Sequence, residues 1–315
     1  MTVRALYSGR RPVSKIIGAV LSVFLLILAV FASVYMSPKT KPIVLAALKS
    51  CALEVVPAVF PFLILSDLYT AVGYPERIPF LPKIFSFIYG VEPAGVRALI
   101  TGGLCGFPVG VRATAEIYRA GLISKPSAER LIALSNIPSP AFVTAAVGVG
   151  MLGDSGLGRA LLLAVFLSSP ITALIFRKRV VKQEKQDVIA GQKFDLVESI
   201  RCAGLGTVTI CAFVTCFGTV AGLIKEYLAR SPIFPILTSV LEVTGASIYF
   251  SAEWLRLGSP LSLFAIGFAL GFGGLSVMLQ SAVFLRGSDI SIKKYIPIKL
   301  TQGLVSGLLT ILFTL

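Results

Sequence analysis

The residues of this chain that could do chemistry inside an apolar setting are few, and they gather at breaks in otherwise hydrophobic runs. The first break is Gly106-Phe107-Pro108-Val109-Gly110, with Arg112 and Thr114 just beyond it. Pro108 has no N–H and glycine frees the chain to turn, so one helix is predicted to end here and another to begin. Each arm, 98–105 and 111–120, is too short to cross a bilayer, which takes about 20 apolar residues. The spacing therefore predicts two half-helices meeting at a tip at membrane depth, a re-entrant hairpin over 98–121. Non-helical backbone is tolerated there only where protein or a wet cavity satisfies it, so the hairpin predicts a cavity. Helix N-termini at such a tip offer N–H groups and partial positive charge to an anion. Arg112 could hold a carboxylate through two parallel hydrogen bonds, or it could only anchor the hairpin to Glu116 one turn later.

A second break is Ser135-Asn136-Ile137-Pro138-Ser139-Pro140, inside a helical stretch that runs over 127–152. It reads as a membrane helix unwound at its middle, with Ser135, Asn136 and Ser139 exposed to a ligand, or as a loop between two helices. A third is Gly271-Phe272-Gly273-Gly274, between two half-length arms of a stretch expected as a second hairpin, 261–286. Pairing Gly106-Phe107 with Gly271-Phe272 brings Gly121 near Gly287 and Ile123-Ser124 near Ile290-Ser291. Interrupted segments placed alike in two halves are the best sequence pointer to a transporter's binding site. Gln280 and Gln302 are further polar candidates. Two carboxylates, Glu54 and Glu242 (the latter beside Thr244), stand in apolar surroundings. Each reads either as a cavity or coupling-ion residue or as an interfacial carboxylate, Glu54 then pairing with Lys49.

The elements that must position these residues follow from composition. The chain has 315 residues, 56% hydrophobic and 14% charged, with a mean hydropathy of +0.88. Soluble domains average about 25% charged. An all-α polytopic membrane protein is predicted, with spans over 16–36, 44–72, 131–152, 156–176, 200–228 and 292–315. Residues 1–41 would be a cytoplasmic N-terminus and first span, 42–176 a first repeat, 177–199 a cytoplasmic linker and 200–315 a second repeat. The linker carries six basic and four acidic residues. The net charge of +14 sits mainly in tails and connections, which points to membrane orientation rather than nucleic acid. With the N-terminus inside, the first hairpin enters from the cytoplasm and the second from outside. Arg286, Lys293 and Lys294 would then lie outside, against the usual bias. There is no histidine, and the five cysteines lack paired spacing, so no metal, cofactor or Ser-His-Asp chemistry is predicted and the chain does not read as an enzyme.

The run GFPVGVRATAEIYRAGLISKPSAERLIALSNIPSPAFVTAAVGVGMLGDSGLG resembles the central signature of the sporulation integral membrane proteins of the YlbJ (SpoVV) type. PAVFPFLILSDLY before it, and LEVTGA and GFGGLSVMLQ after it, extend the likeness from about Ala46 to the C-terminus. That family carries the nucleoside recognition or Gate domain and is similar in plan to concentrative nucleoside transporters. The resemblance implies an elevator-like carrier with inverted repeats, two opposed hairpins and two unwound helices around one site. It also implies a role in endospore formation, moving dipicolinic acid from the mother cell across the outer forespore membrane. Carried over by position, the site is Gly106, Phe107, Pro108, Gly110, Ser135, Asn136, Pro138, Gly271, Gly273 and Gly274, with Arg112 beside the first tip. Val109 stands where the family often has a small polar residue.

Three functions are open on this reading: a carrier of a small anionic metabolite, foremost dipicolinate; a nucleoside or nucleobase carrier; and a membrane assembly factor that uses the same fold as a scaffold. Paired broken helices argue for transport, since a scaffold has no need of them. Such a carrier leaves room for a coupling ion, H+ or Na+, and for a homo-oligomer beside its lipid bilayer and anionic substrate.

Overall fold

The computed structural model describes residues 35–72, 80–177, 195–231 and 233–315. Nearly all of the expected first span and of the linker, and residues 73–79 ahead of the first hairpin, lie outside them. All regular structure among the described residues is helical.

Helix α1 (Ser37–Ser50) runs through a widened π turn, Cys51–Val55, into α2 (Val56–Val72). The extra residue sits just ahead of Pro57, so the proline is absorbed by a bulge and the helix continues. Glu54 lies in this turn; its side chain is outside the described set. Helix α3 (Phe80–Tyr89) meets a 3-10 turn at Pro93–Gly95 that leads into α4 (Val96–Cys105). The two helices are bent by 95°. Next come α5 (Val109–Arg119), α6 (Lys125–Leu134) and a π-wound helix, Phe142–Met151. Helix α7 (Ser155–Ile175) is capped by Asp154, whose carboxylate accepts from Gly156 N and Leu157 N; Asp195 caps α8 (Leu196–Leu228) in the same way. The chain ends with α9 (Phe234–Leu241), α10 (Val243–Leu257), α11 (Pro260–Phe272), α12 (Gly274–Phe284) and α13 (Tyr295–Thr314).

Among the described residues, four helical segments are long and apolar enough to cross a membrane: Ser155–Ile175, Leu196–Leu228, Pro260–Phe284 and Ile292–Thr314; the bent pair Pro82–Tyr89 and Pro93–Cys105 would make a fifth. The third of these corrects an expectation. The stretch predicted as a second hairpin, 261–286, is one apolar run of 25 residues interrupted at Gly273. The reason is the face of α11 that packs on α13. A Cβ at Gly267 would lie 2.2 Å from Thr310 Oγ1, and one at Gly271 would lie 2.7 Å from Ser306 Cβ. Small residues let these two helices approach along their length, as in membrane helix pairs generally. Gly271 is therefore inside a packed helix and not at a tip.

The first break behaves otherwise. Helices α4 and α5 pack on each other, so the chain folds back at Gly106-Phe107-Pro108. A cis peptide joins Phe107 to Pro108. One core cluster lies around Ile123, Leu131, Leu285, Ile290 and Tyr295, with Phe176 against it; a second lies around Val147, Leu161, Val165, Leu263 and Ile266. The first cluster puts the ends of α5, α7 and α12 at one end of the molecule. There Asp289 accepts from Tyr118 Oη at 2.7 Å and from Lys125 Nζ at 2.9 Å. Arg119 donates to Phe284 O and Arg286 O, and Lys294 pairs with Glu129.

Candidate functional site: a cavity where the helix breaks meet

Each of two breaks is seated on another. At the first tip Gly106 has φ +81°, and a Cβ there would lie 2.5 Å from Ser139 N. On the other side, Gly274 (φ +78°) would place a Cβ 3.1 Å from Leu241 O and 3.2 Å from Glu242 N. Only glycine combines a positive φ with so close a backbone approach. The fold-back between α4 and α5 thus rests on the break between α6 and the π helix. The break between α9 and α10 rests on the break between α11 and α12.

Between these contacts lies a cavity of about 50 Å³, lined by Val55, Val59, Cys105, Phe107, Ser139, Phe142, Ile210, Val214, Glu242, Val243, Thr244, Val277 and Gln280. That volume holds a few waters. Phe107 and Phe142 give it aromatic walls; Ser139, Thr244 and Gln280 give it hydroxyl and amide groups. The Ser139 hydroxyl accepts from Phe142 N at 3.2 Å, and Gln280 Nε2 donates to Ser276 Oγ at 3.2 Å.

Glu242 is the ionisable group in this wall. It is 4% exposed, and the backbone around it is extended (φ −154°, ψ 130°) between two helices. Its carboxylate oxygens accept from Thr244 N at 2.9 Å and Gly245 N at 2.6 Å. It is the N-cap of α10, satisfying two of the N–H groups a helix start leaves open. Glu242 is thus a buried residue of the cavity wall whose carboxylate caps a helix start.

A second polar cluster lies behind the Ser135–Ser139 break. Asn136 is fully buried. Its Nδ2 donates to Ser281 Oγ at 2.9 Å and Tyr295 Oη at 2.6 Å. Its carbonyl accepts from Lys299 Nζ at 2.7 Å, and Lys299 also donates to Gln302 Oε1 at 2.9 Å. Other carbonyls at the end of α6 are met by side chains too. Ser135 Oγ donates to Leu131 O at 2.6 Å, and Ser169 Oγ donates to Leu134 O at 2.8 Å. The helix stops in the interior with the carbonyls of Leu131, Ala133 and Leu134 answered, as burial requires.

Most of the expected site residues thus fall into three groups. Phe107, Ser139, Glu242, Thr244 and Gln280 line the cavity, with Gly106, Pro108, Gly273 and Gly274 forming the breaks around it. Ser135, Gly110 and Thr114 pack together beside it: Thr114 Oγ1 donates to Gly110 O at 2.8 Å and lies 3.3 Å from Ser135 Oγ. Asn136 and Gln302 belong to the cluster around Lys299. Arg112 is not in the cavity wall; its Nε donates to Glu116 Oε1 at 2.9 Å. Phe142, Lys299 and Tyr295 were not expected. A signal for Lys299 exists in the sequence: Lys299, Gln302, Ser306 and Thr310 recur three or four apart on one face of the last span.

No family model matches the chain, and no solved structure matches it. The sporulation integral membrane protein YlbJ of Bacillus subtilis (strain 168) is 26% identical over 300 residues, an alignment covering 82% of this chain and 73% of that protein. The chain is thus similar to a sporulation integral membrane protein, and it has apolar helices of spanning length as such a protein needs.

Proposed function

We propose that this integral membrane protein is a secondary carrier of a small, flat, hydrogen-bonding anion, dipicolinate first, working in endospore formation at the outer forespore membrane. The observation that carries the proposal is the meeting of interrupted helices at one cavity. Broken helices at membrane depth are expensive unless they line a site. The aromatic faces of Phe107 and Phe142, with the Ser139, Thr244 and Gln280 side chains between them, suit a planar ring with polar edges. At about 50 Å³ the cavity holds only a few waters, so this is a closed form that must open to load.

The same reading revises the repeats. In one half the order is the fold-back α4–α5, the interrupted helix α6–π, and the continuous span α7. In the other it is α9–α10 broken at Glu242, the interrupted span α11–α12, and the continuous span α13. The counterpart of Gly106 is then the Glu242 break, and the counterpart of Ser135–Ser139 is Gly273. Under this register Arg286, Lys293 and Lys294 lie at the same end as Arg119, Lys125 and the start of the linker, the cytoplasmic end by the positive-inside rule. An elevator-like movement of this unit is the motion we propose.

A nucleoside or nucleobase is the second reading, favoured by a specific observation: the cavity wall contains a carboxylate, an amide and hydroxyls but no lysine or arginine. Proteoliposomes holding the purified protein, assayed with labelled dipicolinate and with uridine, decide between them. Saturable dipicolinate flux supports the first reading and uridine flux alone the second. Folded protein carrying neither would make it a non-transporting membrane assembly factor of sporulation.

A further inference from the structure

Lys299 is fully buried, and its ammonium has two partners, both neutral: Asn136 O at 2.7 Å and Gln302 Oε1 at 2.9 Å. No ion pair among the described residues includes it. A buried ammonium without a counter-charge is costly unless its surroundings favour positive charge in some other way. They do. Asn136 lies two residues past Leu134, the last residue of α6, and the carbonyl end of a helix carries partial negative charge. Two further atoms of these same side chains have no partner, Asn136 Oδ1 and Gln302 Nε2, and both side chains are fully buried. Unwound carbonyls and half-helix C-termini are where membrane carriers coordinate a coupling cation.

We propose that Lys299 is a tethered cation: its ammonium occupies, on the carbonyl end of the broken helix, the place an alkali-metal ion would take, so the protein needs no such ion there. The role as a substitute coupling ion rests on the carrier reading. The placement of the charge on the broken helix does not.

The test is the melting temperature of the purified full-length protein in detergent, in NaCl, KCl and choline chloride at equal ionic strength. The unmodified protein is expected to melt alike in all three. Lys299→Ala vacates the site and leaves Asn136 O, Asn136 Oδ1 and Gln302 Oε1 as free acceptors. It is expected to melt lower in choline and to recover by several degrees in sodium, since an ion that binds only the folded state stabilises it. Lys299→Met fills the space without charge and is expected to melt lower in all three salts, with no recovery. Sodium-specific stabilisation of the unmodified protein would overturn the proposal. So would a Lys299→Ala protein indifferent to the cation, or one that fails to fold even in sodium. Melting needs no substrate, so this outcome is independent of whether dipicolinate or uridine is carried.

Discussion

Gly106 sits so close to Ser139 that a single methyl at its Cα would come within 2.5 Å of the Ser139 nitrogen. Gly153 offers a control, because it has a similar φ of +67° with nothing within 4 Å of an added Cβ. Both Gly→Ala changes carry a positive-φ backbone penalty of roughly 1–3 kcal/mol, the greater at Gly106, whose φ +81° and ψ −175° lie in a region kept almost entirely to glycine. Only Gly106→Ala also forces the tip off the break, at about 1–3 kcal/mol for an overpacked contact. Gly106→Ala is expected to be the less stable by at least that difference in detergent melting. Equal stability of the two would remove the tip-to-break contact from the account.

Glu242 joins fold and cavity, so its substitutions should separate the two roles. Glu242→Gln keeps an oxygen for the start of α10, whereas Glu242→Ala loses both bonds, and an N-cap of this kind contributes about 1 kcal/mol. The expected result is near-native melting for Glu242→Gln and clearly lowered melting for Glu242→Ala. Flux should fall in both if the carboxylate faces the substrate. Native flux in Glu242→Gln would reduce the residue to a cap.

Arg112 gives the converse expectation. Its pair with Glu116 and its place outside the cavity wall predict that Arg112→Ala still transports at a rate within a few-fold of native. Complete loss of flux from a folded variant would put Arg112 back in contact with the substrate.

At the end of the molecule, Tyr118 and Lys125 hold the Asp289 carboxyl below its usual range, the hydrogen bond from Tyr118 first. A depressed carboxylate pKa stabilises the fold above the unfolded-state value, and the benefit is lost as pH falls through the folded-state value. The melting difference between the unmodified protein and Asp289→Asn should therefore be constant near neutrality and shrink on acidification below about pH 4. A difference that grows in acid would contradict this sign.

Sidedness follows from the same contacts. Single cysteines placed at Ser124 and Ser288 in a cysteine-free background should label from one side of sealed vesicles. One at Gly258 should label from the other. Labelling of Gly258 and Ser288 from the same side would mean that Pro260–Phe284 does not cross.

How much of this was legible depended on where the information lay. The first break is written locally, in a proline flanked by glycines, and any context would end a helix there. Gly271-Phe272-Gly273-Gly274 repeats some of those letters, but a helix 30 residues later (α13) packs glycine-to-glycine along α11 and keeps the run extended. The Glu242 break has no proline. It is made by a side chain turning back onto its own helix start, which reads in sequence as one more acid among apolar neighbours. Lys299 was hardest. Its partner Asn136 lies 163 positions away, and a single lysine near one end of a span looks like an interfacial anchor.

A buried positive charge with no carboxylate beside it is also an electrical component. The membrane potential acts on any charge that moves through it, at about 2.3 kcal/mol per elementary charge per 100 mV for the full field. A moving unit that carries Lys299 and the Glu242 carboxylate together would return empty with these two charges opposed, so the anion it loads would supply the net charge on which the field acts. Voltage would then weigh mainly on the loaded stroke, and the charge of the cargo would set how hard the field opposes it.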